Sequence, residues 1–399
     1  MDSKAEVEKT IKIACAVALF LGNTKRYLKA IELCNECLVV LNKVTHSKED
    51  HFKKSLYLRI FMSMFPVYFY INDHTRSERC AEIAVSLSHD TGDAMIEAFF
   101  SVSLAKMYFD QRRLKESEKF CERAIRIVKV IREREMEAQA YTCLGRVSQV
   151  QRQYQKAKGN FEKALVIHME IGDKKGEADA RTNLGEVLYS LSEYQKAEEY
   201  LERVLAIFME IRDKRGEADA RTNLGKVLRS LGEYQKAKEY FEKALAIYME
   251  IRDKKGEAVA RTSLGDVLRS LGEYQKAEEY FEKALAIYME IRDKKGEADA
   301  RTNLGGVLYL LGEYQKAEEY FEKALAIFME IRDKNGEADA LTNLGAVLYL
   351  LGEYQKAKEY VERALAIYME IRHKKGEAVA RTNLGAVWQS LGRSEEHTF

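Results

Sequence analysis

A Leu-Gly pair returns along this chain at a fixed spacing of forty residues. It stands at Leu144-Gly145, Leu184-Gly185, Leu224-Gly225, Leu264-Gly265, Leu304-Gly305, Leu344-Gly345 and Leu384-Gly385. Self-similarity at a fixed period means a stacked array, in which each unit buries its apolar face against its neighbours. Such an array has no single interior site, so function must be sought on surfaces that the units share.

Two helices can be placed in each unit. Numbering from Ala178, positions 3, 4, 7, 8, 11 and 14 fall on one arc of a helical wheel and are mostly Ala, Leu or Gly. Positions 2, 5, 6, 9, 12 and 13 fall on the opposite arc. Gly232, Gly272, Gly312, Gly352 and Gly392 are expected to end the first helix, because glycine tolerates the left-handed backbone found just past a helix. The second helix runs from about Glu193 to Arg212, with apolar residues at spacings of three and four. Asp173, Asp213, Asp253, Asp293 and Asp333 follow it, placed to cap the next helix, and His373 breaks that series. A glycine inside a helix costs about 1 kcal/mol relative to alanine, so Gly185 and its copies need a packing reason. Ala197 and its equivalents are the expected neighbours. A single proline, Pro66, agrees with long uninterrupted helices.

The register extends beyond the clean copies. Residues 1–137 hold about three diverged units, with an insertion of about seven residues around Thr45 to Asp50. Residues 138–377 hold six regular units, and 378–392 a final first helix. After Gly392 the repeat demands Glu-Tyr-x-Lys-Ala, yet the chain reads Arg393-Ser394-Glu395-Glu396-His397-Thr398-Phe399. Residues 393–399 are therefore set aside as a non-native tail, and further native sequence is expected in their place.

Composition excludes several function classes. Lys and Arg number 65 against 64 Asp and Glu, a net charge of +1. No global field therefore recruits nucleic acid or an anionic membrane. The apolar run Ile60 to Ile71 is shorter than the roughly 20 residues that cross a bilayer. Six cysteines at irregular spacing, with no basic leader before an apolar run, point to a reducing, cytoplasmic setting. Cys34-x-x-Cys37 occupies the core slots held by Leu201 and Val204, so it reads as buried filler. The histidines show no metal-ligand spacing and the glycines form no phosphate-binding loop, so no metal and no cofactor is expected. Catalysis needs a cluster of unlike groups, whereas these units repeat the same side chains, and no enzyme activity is expected.

The order Leu224-Gly225, Tyr234, Ala237, Phe241, Ala244 resembles the tetratricopeptide repeat. That repeat usually has 34 residues and a terminal proline; here Met249 holds the proline slot and the second helix runs on. Units of about forty residues, with R-D-K-x-G-E-A linkers before N-L-G, are similar to those of the LGN/Pins and rapsyn-type adaptors. The resemblance implies an all-α fold, a right-handed α-solenoid of helix-turn-helix units, that binds a protein or peptide segment in its concave groove. Position 4 departs from the pattern, with Arg181, Arg221, Arg261, Arg301 and Arg381 where a large aromatic is common. The stem should pack and the head should pair with the preceding second helix, as Glu210 for Arg221.

In the resembling family position 6 faces the groove, which implies a ladder of amides from Asn183, Asn223, Asn303, Asn343 and Asn383, interrupted by Cys143 and Ser263. An asparagine can bond both N–H and C=O of an extended peptide. Positions 9 and 12 vary and should carry specificity. Lys226, Arg229 and Arg269 would form a basic centre, tempered by Asp219 and Asp266, while Tyr189, Tyr309 and Tyr349, with Leu310 and Leu350, add an aromatic and aliphatic wall. The expected partner segment bears acidic residues at one end and apolar anchors at the other. Two alternatives stand beside this adaptor reading: a regulatory array within a longer enzyme or signalling protein, and a structural solenoid that self-associates weakly through its open C-terminal end.

Overall fold

The computed structural model describes residues 3–44 and 51–396; the expected insertion at 45–50 and the last three residues lie outside them. The chain divides into two compact units, one ending at Tyr200 and the other beginning at Leu201. The first contains α1 (Ser3–Asn23), α2 (Tyr27–Val44), α3 (His51–Tyr70), α4 (His74–Thr91), α5 (Ala94–Asp110), α6 (Leu114–Ile131), α7 (Arg134–Val150), α8 (Tyr154–Glu170), α9 (Lys174–Ser190) and the start of α10 (Tyr194–Glu210). The second holds the rest of α10, then α11 (Lys214–Ser230), α12 (Tyr234–Glu250), α13 (Lys254–Ser270), α14 (Tyr274–Glu290), α15 (Lys294–Leu310), α16 (Tyr314–Glu330), α17 (Lys334–Leu350), α18 (Tyr354–Glu370) and α19 (Lys374–Glu396). No strand occurs among the described residues, and each unit is an all-α stack of helix pairs.

The turns follow from a few backbone positions. First helices end with Gly232, Gly272, Gly312 and Gly352 in the left-handed region, and Ser192 takes that conformation at φ +62°. Gly392 does not end its helix: α19 runs through it to Glu396, over residues that lack the Glu-Tyr-x-Lys-Ala found after Gly232 and its copies. Second helices close on a left-handed arginine, Arg212, Arg252, Arg292, Arg332 or Arg372. Immediately afterwards the aspartate caps the next helix, as when Asp253 Oδ1 accepts the Gly256 N–H at 3.0 Å. His373 keeps the same role in α19, its Nδ1 accepting from the Gly376 N–H at 3.1 Å.

Packing within a repeat centres on two contacts between glycine and an aromatic ring. A Cβ on Gly225 would lie 2.6 Å from the Phe241 ring, and on Gly265 it would lie 2.7 Å from Phe281. The residue four past the alanine fills the notch first, and the expected alanine stands just behind it: at Gly345 an added Cβ would meet Val361 at 2.4 Å and the Ala357 carbonyl oxygen at 3.4 Å. Ala237 is fully buried nearby. The second contact lies in the first turn of the next first helix, where a Cβ on Gly256 would meet the Tyr248 ring at 2.2 Å and one on Gly336 the Phe328 ring at 2.3 Å. At these glycines an added Cβ would overlap the packed ring, and at Gly345 it would overlap Val361 in the same way.

Polar groups at the rim depart from the wheel in two ways. Arg221 bonds Glu217, one turn back on its own helix, at 2.8 Å, instead of Glu210. The glutamates equivalent to Glu210 face lysines: Glu250 lies 3.9 Å from Lys214, and Glu290 3.9 Å from Lys254. Thr222, at a position placed on the solvent arc, is buried, with its hydroxyl bonded to the Ala218 carbonyl and 3.4 Å from the Tyr248 hydroxyl. The leaning tyrosine covers it.

In the first unit Ile11, Cys15, Ala18, Ala30, Cys34 and Leu41 form a core with α3 residues. All six cysteines are free and buried. Burial pushes the Cys34 and Cys80 thiols up to about 12, which suits apolar filler.

Candidate functional site

Within each unit first helices pack on the second helices that follow them and second helices on the next first helices, as α7 on α8 and α8 on α9, or α11 on α12 and α12 on α13. First helices also touch one another directly: α5 meets α7 and α7 meets α9 in one unit, and α11, α13, α15, α17 and α19 form such a series in the other. Successive second helices have no comparable contact among the described residues. Within each unit the first helices therefore line the narrower, inner side. The candidate residues at positions 6, 9 and 12 all belong to first helices.

In the second unit Asn223, Asn303, Asn343 and Asn383 are half-exposed on that series. Asn223 Oδ1 accepts a long contact from Lys226 Nζ at 3.5 Å. The amides of Asn303, Asn343 and Asn383 have no hydrogen bond to the protein among the described residues, nor has Asn183 in the first unit. Their donors and acceptors are therefore not spent on tying helices together. Ser263, which interrupts the series, is buried and bonds the Val259 carbonyl at 2.9 Å, so it offers no amide.

Positions 12 and 9 of neighbouring helices meet. Arg229 Nη1 donates to Asp266 Oδ2 at 2.8 Å, and Arg269 Nη2 donates to Asp266 Oδ1 at 2.9 Å. One carboxylate thus holds both guanidiniums, while Lys226 stays exposed. The ion pairs lock the fork geometry of the arginines and lower the charge of the basic centre.

The tyrosines at position 12 stand where one repeat turns into its second helix. The Tyr309 ring lies 5.8 Å from that of Tyr314, and Tyr349 lies 5.5 Å from Tyr354. Tyr189 is arranged likewise, 5.3 Å from Tyr194. The Tyr349 hydroxyl also accepts from Ser390 Oγ at 3.1 Å. Leu310 and Leu350, one residue further on, are exposed. In the second unit the basic groups stand on α11 and α13 and the aromatic groups on α15 and α17.

Asp219, at position 2, was expected to temper the basic centre, but the sequence did not show that it pairs with a tyrosine of the second helix. Asp219 Oδ1 accepts the Tyr248 hydroxyl at 2.5 Å, and burial followed by Asp219 pushes that phenol up from its ordinary value. Tyr368 donates in the same way to Asp339. Asp299 faces Phe328 in the equivalent register and lacks this donor; burial raises its carboxyl despite Lys295. The change between Phe and Tyr at 208, 248, 288, 328 and 368, read against Asp at position 2, was the available signal.

Among the described residues there is no group of three or more His, Cys, Asp or Glu suited to a metal ion. No helix there is long and apolar enough to cross a membrane.

Models of the tetratricopeptide repeat match residues 102–131, 136–210, 216–290, 296–370 and 337–396, well over half of the chain. Comparison with curated protein sequences gives no significant match. Among solved structures, the apo form of RapI is similar with a TM-score of 0.65 at 18% identity, covering 92% of this chain and 99% of its own. Aspartyl phosphate phosphatase F from Bacillus subtilis gives 0.61 at 16% identity over 92% and 94%. The quorum sensor NprR from B. thuringiensis gives 0.59 at 14% identity over 90% and 99%. At these identities the likeness is one of fold, an all-α solenoid. Repeat matches over most of its length, on a regular array of helix pairs, make this chain a member of the tetratricopeptide repeat family and a protein-interaction repeat scaffold.

Proposed function

We propose that the chain is a non-catalytic adaptor whose first-helix face holds an extended or helical segment of a partner protein. The observation that carries this reading is the set of half-exposed amides at one register of successive first helices, with Asn303, Asn343 and Asn383 unbonded among the described residues. A half-exposed amide pairs with water until a peptide backbone replaces it, and bonding to both N–H and C=O fixes an extended segment without regard to its side chains. Side-chain choice then falls to the variable positions. Lys226, with Arg229 and Arg269 beside Asp266, favours acidic residues; Tyr309, Leu310, Tyr349 and Leu350 favour apolar anchors. Repetition of weak identical contacts along a series is what an adaptor needs, whereas a reaction would need one cluster of unlike groups. Six free, buried thiols agree with a reducing, cytoplasmic setting.

The test is a proximity-labelling screen with the wild type and with Asn223→Ala, Asn303→Ala and Asn343→Ala combined. Segments that depend on the face should be lost from the variant, and synthetic peptides of those segments should bind it at least about tenfold more weakly, a loss of about 1.4 kcal/mol. The circular dichroism melt should stay close to wild type. Recovery of the same partners with undiminished peptide affinity would remove the first-helix face from the binding mechanism.

A further inference from the structure

Cys143 occupies in α7 the register position that Asn183 holds one repeat later, but the residue is only 5% exposed. It lines an open cavity of about 270 Å³ in the first compact unit. Lys106 of α5 and Arg146 of α7 line the same cavity, as do His168 and Lys175. Cys121 of α6 is fully buried beside it, in a small apolar cluster with Ala105 and Leu144. Cys143 belongs to that same cluster, and Ser117 Oγ, one turn before Cys121 on α6, is 3.8 Å from Cys143 Sγ. Cys15 also lines an open cavity, with Lys12 and Arg59, in a cluster with Cys34, Cys37 and Cys80, but there burial prevails and pushes its thiol up.

We propose that Cys143 and Cys121 form a hydroperoxide-sensitive thiol pair, Cys143 the attacking and Cys121 the resolving sulfur, whose oxidation ties α6 to α7. The electrostatics agree with that division of roles. The hydrogen bond from Cys121, then that from Ser117 and the charges of Arg146 and Lys106, outweigh burial and hold the Cys143 thiol below its ordinary value. The Cys121 thiol is pushed up, by Cys143 first and by burial next. The thiolate is the nucleophile in such chemistry, and cations beside it raise its population.

In the first step Cys143 sulfur attacks one oxygen of hydrogen peroxide and the O–O bond breaks. The departing oxygen leaves as water with the proton that Cys143 gave up, and Cys143 becomes a sulfenic acid. Cys121 sulfur then attacks Cys143 sulfur; an S–S bond forms and the sulfenic oxygen leaves as a second water, taking the Cys121 proton. The peroxide accepts the two electrons that the two sulfurs lose. Thiol reductants reverse the bond by exchange.

The full chain is treated with hydrogen peroxide, unfolded in an alkylating agent, and analysed by thiol count and non-reducing peptide mapping. Two of the six thiols should disappear, with one linked peptide joining Cys121 to Cys143, and dithiothreitol should restore both. In Cys121→Ser, dimedone should label Cys143; in Cys143→Ser, the remaining thiols should survive the same dose. Retention of all six thiols in the wild type, or a linked peptide joining Cys34 to Cys37 instead, would overturn the assignment without relying on any variant to fold.

Discussion

A methyl group added to Gly225 would sit 2.6 Å from Cε1 of Phe241, a ring that is itself fully buried. The ring has nowhere to swing, so Gly225→Ala overpacks the core by about 1 to 3 kcal/mol and recovers about 1 kcal/mol of helix propensity. The first effect wins, and the variant should melt lower. Gly385 is the control, since nothing lies within 4 Å of its added Cβ. Gly385→Ala should instead gain up to about 1 kcal/mol. Thermal melts of the two single variants check the opposite signs; a shared sign would mean that the ring contact does not set the need for glycine.

The left-handed arginines are a second place where sequence and backbone conflict. Arg292 has φ +56°, whereas Gly172 takes the equivalent turn at φ +71° without a Cβ. A left-handed L-residue costs roughly 1 to 2 kcal/mol, part of which glycine returns through its looser unfolded chain. Arg292→Gly should therefore stabilise the array by about 0.5 to 1 kcal/mol, read as a higher melting midpoint, and Arg292→Val should lower it.

Five of the regular linkers cap the next helix with aspartate, and the last does so with His373. Aspartate is among the strongest N-caps and its charge complements the helix N-terminus. His373→Asp should protect α19 by about 0.5 to 1 kcal/mol. Hydrogen exchange of α19 amides is the direct measurement, because a change confined to that helix barely moves a global melt.

Asp333 links a cap to acid sensitivity. Burial acts to raise its carboxyl, but the Lys295 ammonium and the Gly336 N–H outweigh it and hold the group below its ordinary 3.8. A carboxyl that is lower in the folded state contributes stability fully above about pH 4 and loses it as pH falls through the folded value. Asp333→Asn should thus be less stable than wild type near neutrality. The gap should close as urea melts are taken from about pH 5 toward pH 2. A gap that is constant with pH would assign the effect to packing.

Much of this architecture was legible because it is written many times over. The Leu-Gly spacing located first helices, and Asp253 and Gly232 marked their ends, since each signal depends only on local backbone. What was not legible depends on side-chain depth. A helical wheel puts Gly225 on the core arc but cannot say whether Ala237 or the ring of Phe241 reaches it. It likewise offers Arg221 two glutamates, and Glu217 wins because it stands one turn away on the same helix and requires no rearrangement between helices. Thr222 was misplaced because Tyr248 leans from the second helix across the expected solvent arc. At the candidate site the shared register of Asn223, Asn303, Asn343 and Asn383 could be read from the repeat, whereas the pairing of Arg229 and Arg269 on one carboxylate could not, because it depends on how two helices sit side by side.

That shared carboxylate gives the sharpest test of how the face chooses a partner. Asp266 sits 2.8 Å from Arg229 and 2.9 Å from Arg269, and all three side chains are partly exposed. Its pairs are therefore worth little to folding, below about 1 kcal/mol each, because water screens them. Their larger effect is on recognition, since a partner carboxylate must displace Asp266 or add to it. Asp266→Asn leaves the shape of the site and removes the competing charge. The variant should melt within about 1 kcal/mol of wild type and bind an acidic segment, taken from the partners recovered with the wild-type face, about two- to fivefold more tightly. The gain should shrink between 50 mM and 500 mM salt, as expected for partly exposed charges. Equal affinity of wild type and variant at low salt would remove Arg229 and Arg269 from the specificity of the face and leave the Asn amides and the Tyr309–Tyr349 stretch to carry it.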